Sequence, residues 1–215
     1  MSNLQLMVIL FLTLHIGAFV EYQATTYFNS PGSNFISNLI IEKVVKVFPN
    51  STFAYNLTVV FLNYSEISPS SVLDNLSCPS TFYFINHPGD KMIPRSIGLT
   101  LVNYTNGTYV YEGTQNVQGV TLKYFYFVNS TGVPSKIEIF QYSVTGELVS
   151  KTVYKLISSN LINPNATLYI PDNLTQAKTI KIVIEGPDYY FGEYVVLFNL
   201  IAIPTIILLK RKIFR

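Results

Sequence analysis

The chain has 215 residues, only 12% of them charged, and its 14 Lys and Arg against 12 Asp and Glu leave a net charge of +2. So even a balance excludes a nucleic-acid partner, which needs a basic face. The single cysteine, Cys78, excludes an internal disulfide.

Residues 1–24 open with an apolar run from Leu4 to Val20. Small residues follow at Gly17-Ala18 and Ala24, so the spacing predicts a secretory signal peptide. No Lys or Arg precedes the run, which leaves an uncleaved anchor as the alternative. Cleavage would leave 25–188 as one β-rich extracellular domain, carrying ten basic and ten acidic residues.

Within that domain, residues 25–37 read as a lead-in segment around Pro31-Gly32. Residues 35–48 fit a strand by their β-branched content, although a helical face also fits. A strand is expected over 52–63. Ser68-Pro69 then predicts one short helix over 68–76, with Ser68 as cap and Pro69 in the first turn. A short strand over 81–85 leads to a loop over 86–95 that holds His87.

Strands follow over 95–102 and 108–112, joined by Asn106-Gly107, a hairpin signal. A loop over 113–119 is expected next. The densely aromatic strand 120–128 carries Tyr124, Phe125, Tyr126 and Phe127. Residues 136–144 and 147–157 alternate about the Thr145-Gly146 turn. Short strands over 166–171 and 179–185 complete the domain. The expected fold class is mainly β: a single antiparallel meander, sandwich or half-barrel with one short helix, plus a C-terminal transmembrane helix.

That helix is expected over 189–209. About 21 residues give about 31 Å of helix, enough for a hydrocarbon core of about 30 Å. Lys210, Arg211, Lys212 and Arg215 follow as a basic tail over 210–215. By the positive-inside rule they lie in the cytoplasm, and the preceding domain lies outside the cell.

The strongest functional signal is N-x-S/T, the glycosylation acceptor. It occurs at Asn50, Asn56, Asn63, Asn75, Asn103, Asn106, Asn129, Asn165 and Asn173. All nine lie between the two apolar ends, against about three expected by chance from the Ser and Thr frequency. No catalytic or metal set is legible. His87 and Cys78 are too few ligands for zinc, and Asp74, Asp90, Asp172 and Asp188 sit in no acid-protease context. No cofactor is expected, and no enzyme.

Few charges, many sequons, abundant Tyr and Ile and a single-span anchor together resemble surface glycoproteins of thermoacidophilic archaea or their viruses. The resemblance lies in composition alone. In strong acid, carboxylates protonate and ion pairs fail, so amides, hydroxyls and glycans make the safer surface. The meander over 108–157 is also similar in topology to half-barrel carriers of lipids and lipoproteins.

The expected function is that of a membrane-anchored, N-glycosylated cell-surface protein with a structural, envelope-contact or adhesion role. Its partners would be membrane lipid through the C-terminal helix, a cell-envelope or surface protein, or a second copy of itself. The alternatives are an extracytoplasmic module holding an apolar or lipid-like ligand on a curved sheet, and a virion membrane glycoprotein.

Overall fold

The computed structural model of the chain describes residues 14–29, 35–49, 52–62, 66–75, 88–93, 98–169 and 178–179. Every regular element among them is a strand. The first run comprises β1 (Phe19–Phe28), β2 (Ile36–Val47), β3 (Thr52–Phe61) and β4 (Glu66–Asn75). The second comprises β5 (Met92–Ile93), β6 (Leu99–Thr105), β7 (Thr108–Val117), β8 (Val120–Val128), β9 (Pro134–Tyr142) and β10 (Leu148–Ser159). A two-residue strand, β11 (Lys178–Thr179), comes last.

All of them lie in one sheet, in the order β11-β4-β3-β2-β1-β10-β9-β8-β7-β6-β5. Two antiparallel meanders, β1 to β4 and β5 to β10, are thus joined side by side through the antiparallel pair β1–β10. Only β11 runs parallel to its neighbour, alongside Glu66 and Ile67 of β4.

The turns of the second meander follow from residue type. Asn106 and Gly107 adopt φ of 49° and 75°, and Gln118 and Gly119 adopt 50° and 82°. Two successive left-handed residues make the turn whose twist matches a hairpin. At Gly119 an added Cβ would also lie 2.9 Å from Val144 Cγ1.

Alternation along each strand sorts side chains onto two faces. Register places Tyr22, Tyr55, Tyr111, Tyr124, Tyr126 and Tyr154 on one of them. All six belong to the buried core, with Val20, Leu57, Val59, Leu122 and Ile137. This inner face explains the tyrosine-rich, tryptophan-free composition. A phenol fills core volume, and its hydroxyl needs one partner when buried. The Tyr22 hydroxyl donates to Pro134 O at 2.8 Å, Tyr124 donates to Gln115 Oε1 at 3.1 Å, and Tyr111 accepts from Gly89 N at 2.7 Å. Burial pushes the Tyr55 and Tyr154 phenols well above their usual range, and the Glu42 carboxylate adds to both.

Several expectations are corrected. The segment expected as a helix over 68–76 lies in strand β4, paired with β3 from Thr52↔Asn75 to Phe61↔Glu66. Ser-Pro-Ser-Ser resembles a helix start, yet proline is also tolerated on strands near a sheet edge, and the described pairing of β11 with β4 stops at Ile67, two residues before Pro69. The expected loop over 113–119 is mostly strand, because β7 runs to Val117 and Gly113 pairs opposite Tyr124. The expected lead-in over 25–37 contains the second part of β1, and residues 166–169 form no strand. The expected strand over 81–85 and the transmembrane helix over 189–209 lie outside the described residues. Among the described residues no helix is long and apolar enough to cross a membrane.

The sheet begins ahead of the expected boundary at residue 24. Gly17 N donates to Val44 O at 2.9 Å and Val44 N to Ala18 O at 2.8 Å. Asn160 accepts from Phe19 N at 2.8 Å and donates to Gly17 O at 3.1 Å, and Ser159 Oγ donates to Phe19 O at 2.8 Å. Val20 and Tyr22 are fully buried. A chain starting at Thr25 would lose the first part of β1, including its pairs from Val20↔Ser159 to Ala24↔Tyr154 across the seam between the two meanders. N-terminal sequencing of the mature protein purified from its native host should therefore give a first residue at or before Gly17. A start at Thr25 in folded protein would contradict this pairing.

Candidate functional site

The sequons divide cleanly by position. Asn56 in β3 and Asn103 in β6 are exposed, as are Asn106 in the β6–β7 turn and Asn165 after β10. Asn75, at the end of β4, and Asn129, in the β8–β9 turn, are half-buried. Register puts the three strand asparagines, Asn56, Asn75 and Asn103, on the outer face, opposite the tyrosines. None of the six belongs to the core. Asn129 Oδ1 accepts from Thr131 N at 3.0 Å, which folds that sequon into a tight Asx turn. Asn56 Oδ1 accepts from Ser71 Oγ at 2.9 Å on the neighbouring strand. Asn50, Asn63 and Asn173 lie outside the described residues, as do Lys210, Arg211, Lys212 and Arg215.

The outer face of β7 to β10 carries a lattice that sequence reasoning resolved only in part. The Lys136 ammonium sits 3.7 Å from the Phe127 ring centroid, Lys151 4.8 Å from Phe140 and Lys123 5.1 Å from Phe125. Phe125 and Phe140 meet edge to face at 5.8 Å. Glu138 lies between Lys136 and Lys151 at 3.5 and 3.1 Å, and Lys123 reaches Glu112 at 2.7 Å. The lysines cover ring faces with their charge, at about 0.5–1 kcal/mol per exposed pair. The signal was present in the sequence: alternate positions of Lys123-Tyr124-Phe125-Tyr126-Phe127 separate the tyrosines from the lysine and phenylalanines.

On the same face the chain after β10 folds back over β1. Ser158 Oγ donates to Thr167 O at 2.8 Å, and Tyr169 N donates to Glu21 Oε2 at 2.8 Å. Glu21 is fully buried beneath this strap, and its Oε1 has no hydrogen-bond partner among the described residues. Burial raises its carboxyl above the usual 4.5, and the Tyr169 amide offsets only part of that. Glu21 went unnoticed in the sequence because it falls inside the expected signal peptide.

Asp74 is buried on β4, where with Glu42 it raises the Tyr55 phenol, whereas Asp90 is exposed. Among the described residues no three His, Cys, Asp or Glu side chains converge on a metal position. His87, Cys78, Asp172 and Asp188 lie outside the described residues.

No protein-family model matches the chain, and no curated protein matches it. Among solved structures it is similar to one described as "Structure of PNGF-II in C2 space group", with a TM-score of 0.26 and 13% identity. The match covers 82% of this chain and 33% of that one, so this chain spans a third of that protein's length. A likeness this loose carries no argument about fold or activity.

Glu21 gives the site a defined pH dependence. Its folded pKa lies above its unfolded value, so between the two the unfolded chain has released a proton that the folded chain keeps. Stability then falls as pH rises through that window and is unaffected below it. Thermal unfolding of the purified protein should show its midpoint dropping above about pH 4.5. Glu21→Gln should raise the midpoint at pH 7 by about 2–4 °C per kcal/mol relieved, with no gain at pH 3. An equal gain at both pH values would remove Glu21 as the cause.

Proposed function

We propose that the protein is a membrane-anchored, N-glycosylated cell-surface protein that works by display and contact, without catalysis. Residues 189–209 would cross the membrane, and Lys210, Arg211, Lys212 and Arg215 would stay in the cytoplasm. The observation that carries this reading is the sequon placement: all six described acceptor asparagines lie outside the core, on the outer face or in turns. Alternation offers each strand position either face, and an asparagine favours the outer one; the placement keeps all six acceptors accessible to a glycosylating enzyme.

Two further observations support it. The tyrosine face is filled by its own side chains, with Tyr124 and Tyr126 nearly inaccessible. This favours display over the alternative of an apolar ligand held on β8. Full burial of Tyr22, Tyr111 and Tyr154 in a single sheet also supports a sheet curled toward that face, as in a half-barrel. A carboxyl left half-satisfied beneath the strap suits an acid exterior, where it stays neutral and avoids the larger cost of a buried charge.

The test is glycopeptide mass spectrometry on the envelope fraction of the native host, with protease added to intact cells in parallel. Asn56, Asn103, Asn106 and Asn165 should carry glycan at higher occupancy than Asn75 and Asn129. External protease should release the domain and spare the Lys-Arg tail. Bare asparagines at all four exposed positions, or a domain shielded from protease, would overturn the reading.

A further inference from the structure

Among the described residues one edge of the sheet is open. On its outer side β6 pairs with β5 only at Leu99 and Thr100, and Leu101 N is taken by Lys91 O at 2.9 Å. Residues 102–107 are all exposed, including two large apolar side chains, Val102 at 52% and Tyr104 at 58%. An edge strand with unpaired backbone groups and apolar side chains is a template for pairing with another chain. The opposite edge differs, since β11 covers the start of β4 and Pro69 follows it. β6 has neither a proline nor a charged residue between Leu99 and Thr105. It has a bulge between Leu101 and Asn103, which turns the edge but leaves it bare. It also has two sequons, at Asn103 and Asn106, within this six-residue exposed stretch.

We propose that glycans on Asn103 and Asn106 guard this edge, and that without them the chain pairs through β6 with β6 of a second copy. The inference rests on the glycosylated reading above. A second copy is the fitting occupant because an antiparallel β6–β6 contact is self-complementary about a two-fold axis. It would bury Val102 and Tyr104 of both chains and extend one sheet into the next. A flexible, hydrated glycan on the exposed outer-face Asn103, with another at the turn, fills the space that the incoming strand needs. The guard therefore replaces the lysine or proline that other edge strands use, in keeping with a chain so sparing of charge.

The test removes both acceptor sites without disturbing the turn. Asn106 holds φ of 49°, which asparagine tolerates far better than most residues, so it is kept and its sequon is broken by Thr108→Val. Asn103→Gln breaks the other. Full-length wild type and this double variant are made in a glycosylating host and solubilised in detergent. Glycopeptides are mapped by mass spectrometry, and molar mass is read by light scattering. Wild type should be a single chain, and the double variant should double in mass while keeping its other glycans. Adding Val102→Lys to the double variant should restore the single chain. A double variant that stays a single chain, or a doubled mass indifferent to Val102→Lys, overturns the edge guard and leaves the glycoprotein reading standing. Absence of glycan at every mapped asparagine of the wild type sinks that reading itself.

Discussion

The pairing of β1 with β10 is the constraint on which the rest depends. Each meander closes through local hairpins, but nothing local ties one to the other. That link runs from Val20↔Ser159 to Phe28↔Ser150, across most of the chain. Loop-closure entropy opposes so long-range a contact, and the structure offsets it at the strand end. Asn160 grips the backbone on both sides of Ala18, Ser159 bonds Phe19 O, and Thr26 meets Thr152 through their hydroxyls at 2.9 Å. The inner-face tyrosines then pack across the seam, with Ala24 beside Tyr154 and Tyr154 beside Ile137.

Charge is scarce on the surface and oddly placed inside. Glu21, Glu42 and Asp74 are buried, whereas the outer lattice pairs its lysines with phenylalanine rings as much as with carboxylates. A ring keeps its attraction for a cation at any pH, while a carboxylate loses it on protonation. The two features point the same way: the lysine–ring contacts of the lattice survive acid although its carboxylate pairs do not, and the charge penalty on buried Glu21 is felt only when acid is absent.

The sequence revealed the second meander far better than the first, for physical reasons. Asn106-Gly107 and Thr145-Gly146 are strong turn signals, and residues 120–128 alternate without interruption, so β8 matches its expected span. β1 was hidden because its first residues continue the apolar run of a leader, and periodicity cannot divide one apolar stretch into export signal and strand. β4 was hidden by Ser68-Pro69, whose local preference for a helix start is overridden by ten residues of pairing with β3. β7 was cut short by reading Gly113 as punctuation. The sequons were legible as acceptors, but their common face was not. That required register, and a one-residue slip would have turned Asn56 and Asn103 inward.

The β1–β10 seam also sets an order of events during synthesis. The four strands of the first meander leave the ribosome before β11, which flanks β4, and before the neighbour of β1, which is encoded some 120 residues later. At about 5–20 residues per second, the open flank of β1 waits on the order of 6–25 s for its mate. If the chain crosses a membrane amino end first, as proposed above, it would spend that interval half-assembled on the far side, and on that proposal a holdase, or sugars added to the early β3 acceptor at Asn56, would cover the open flank in transit.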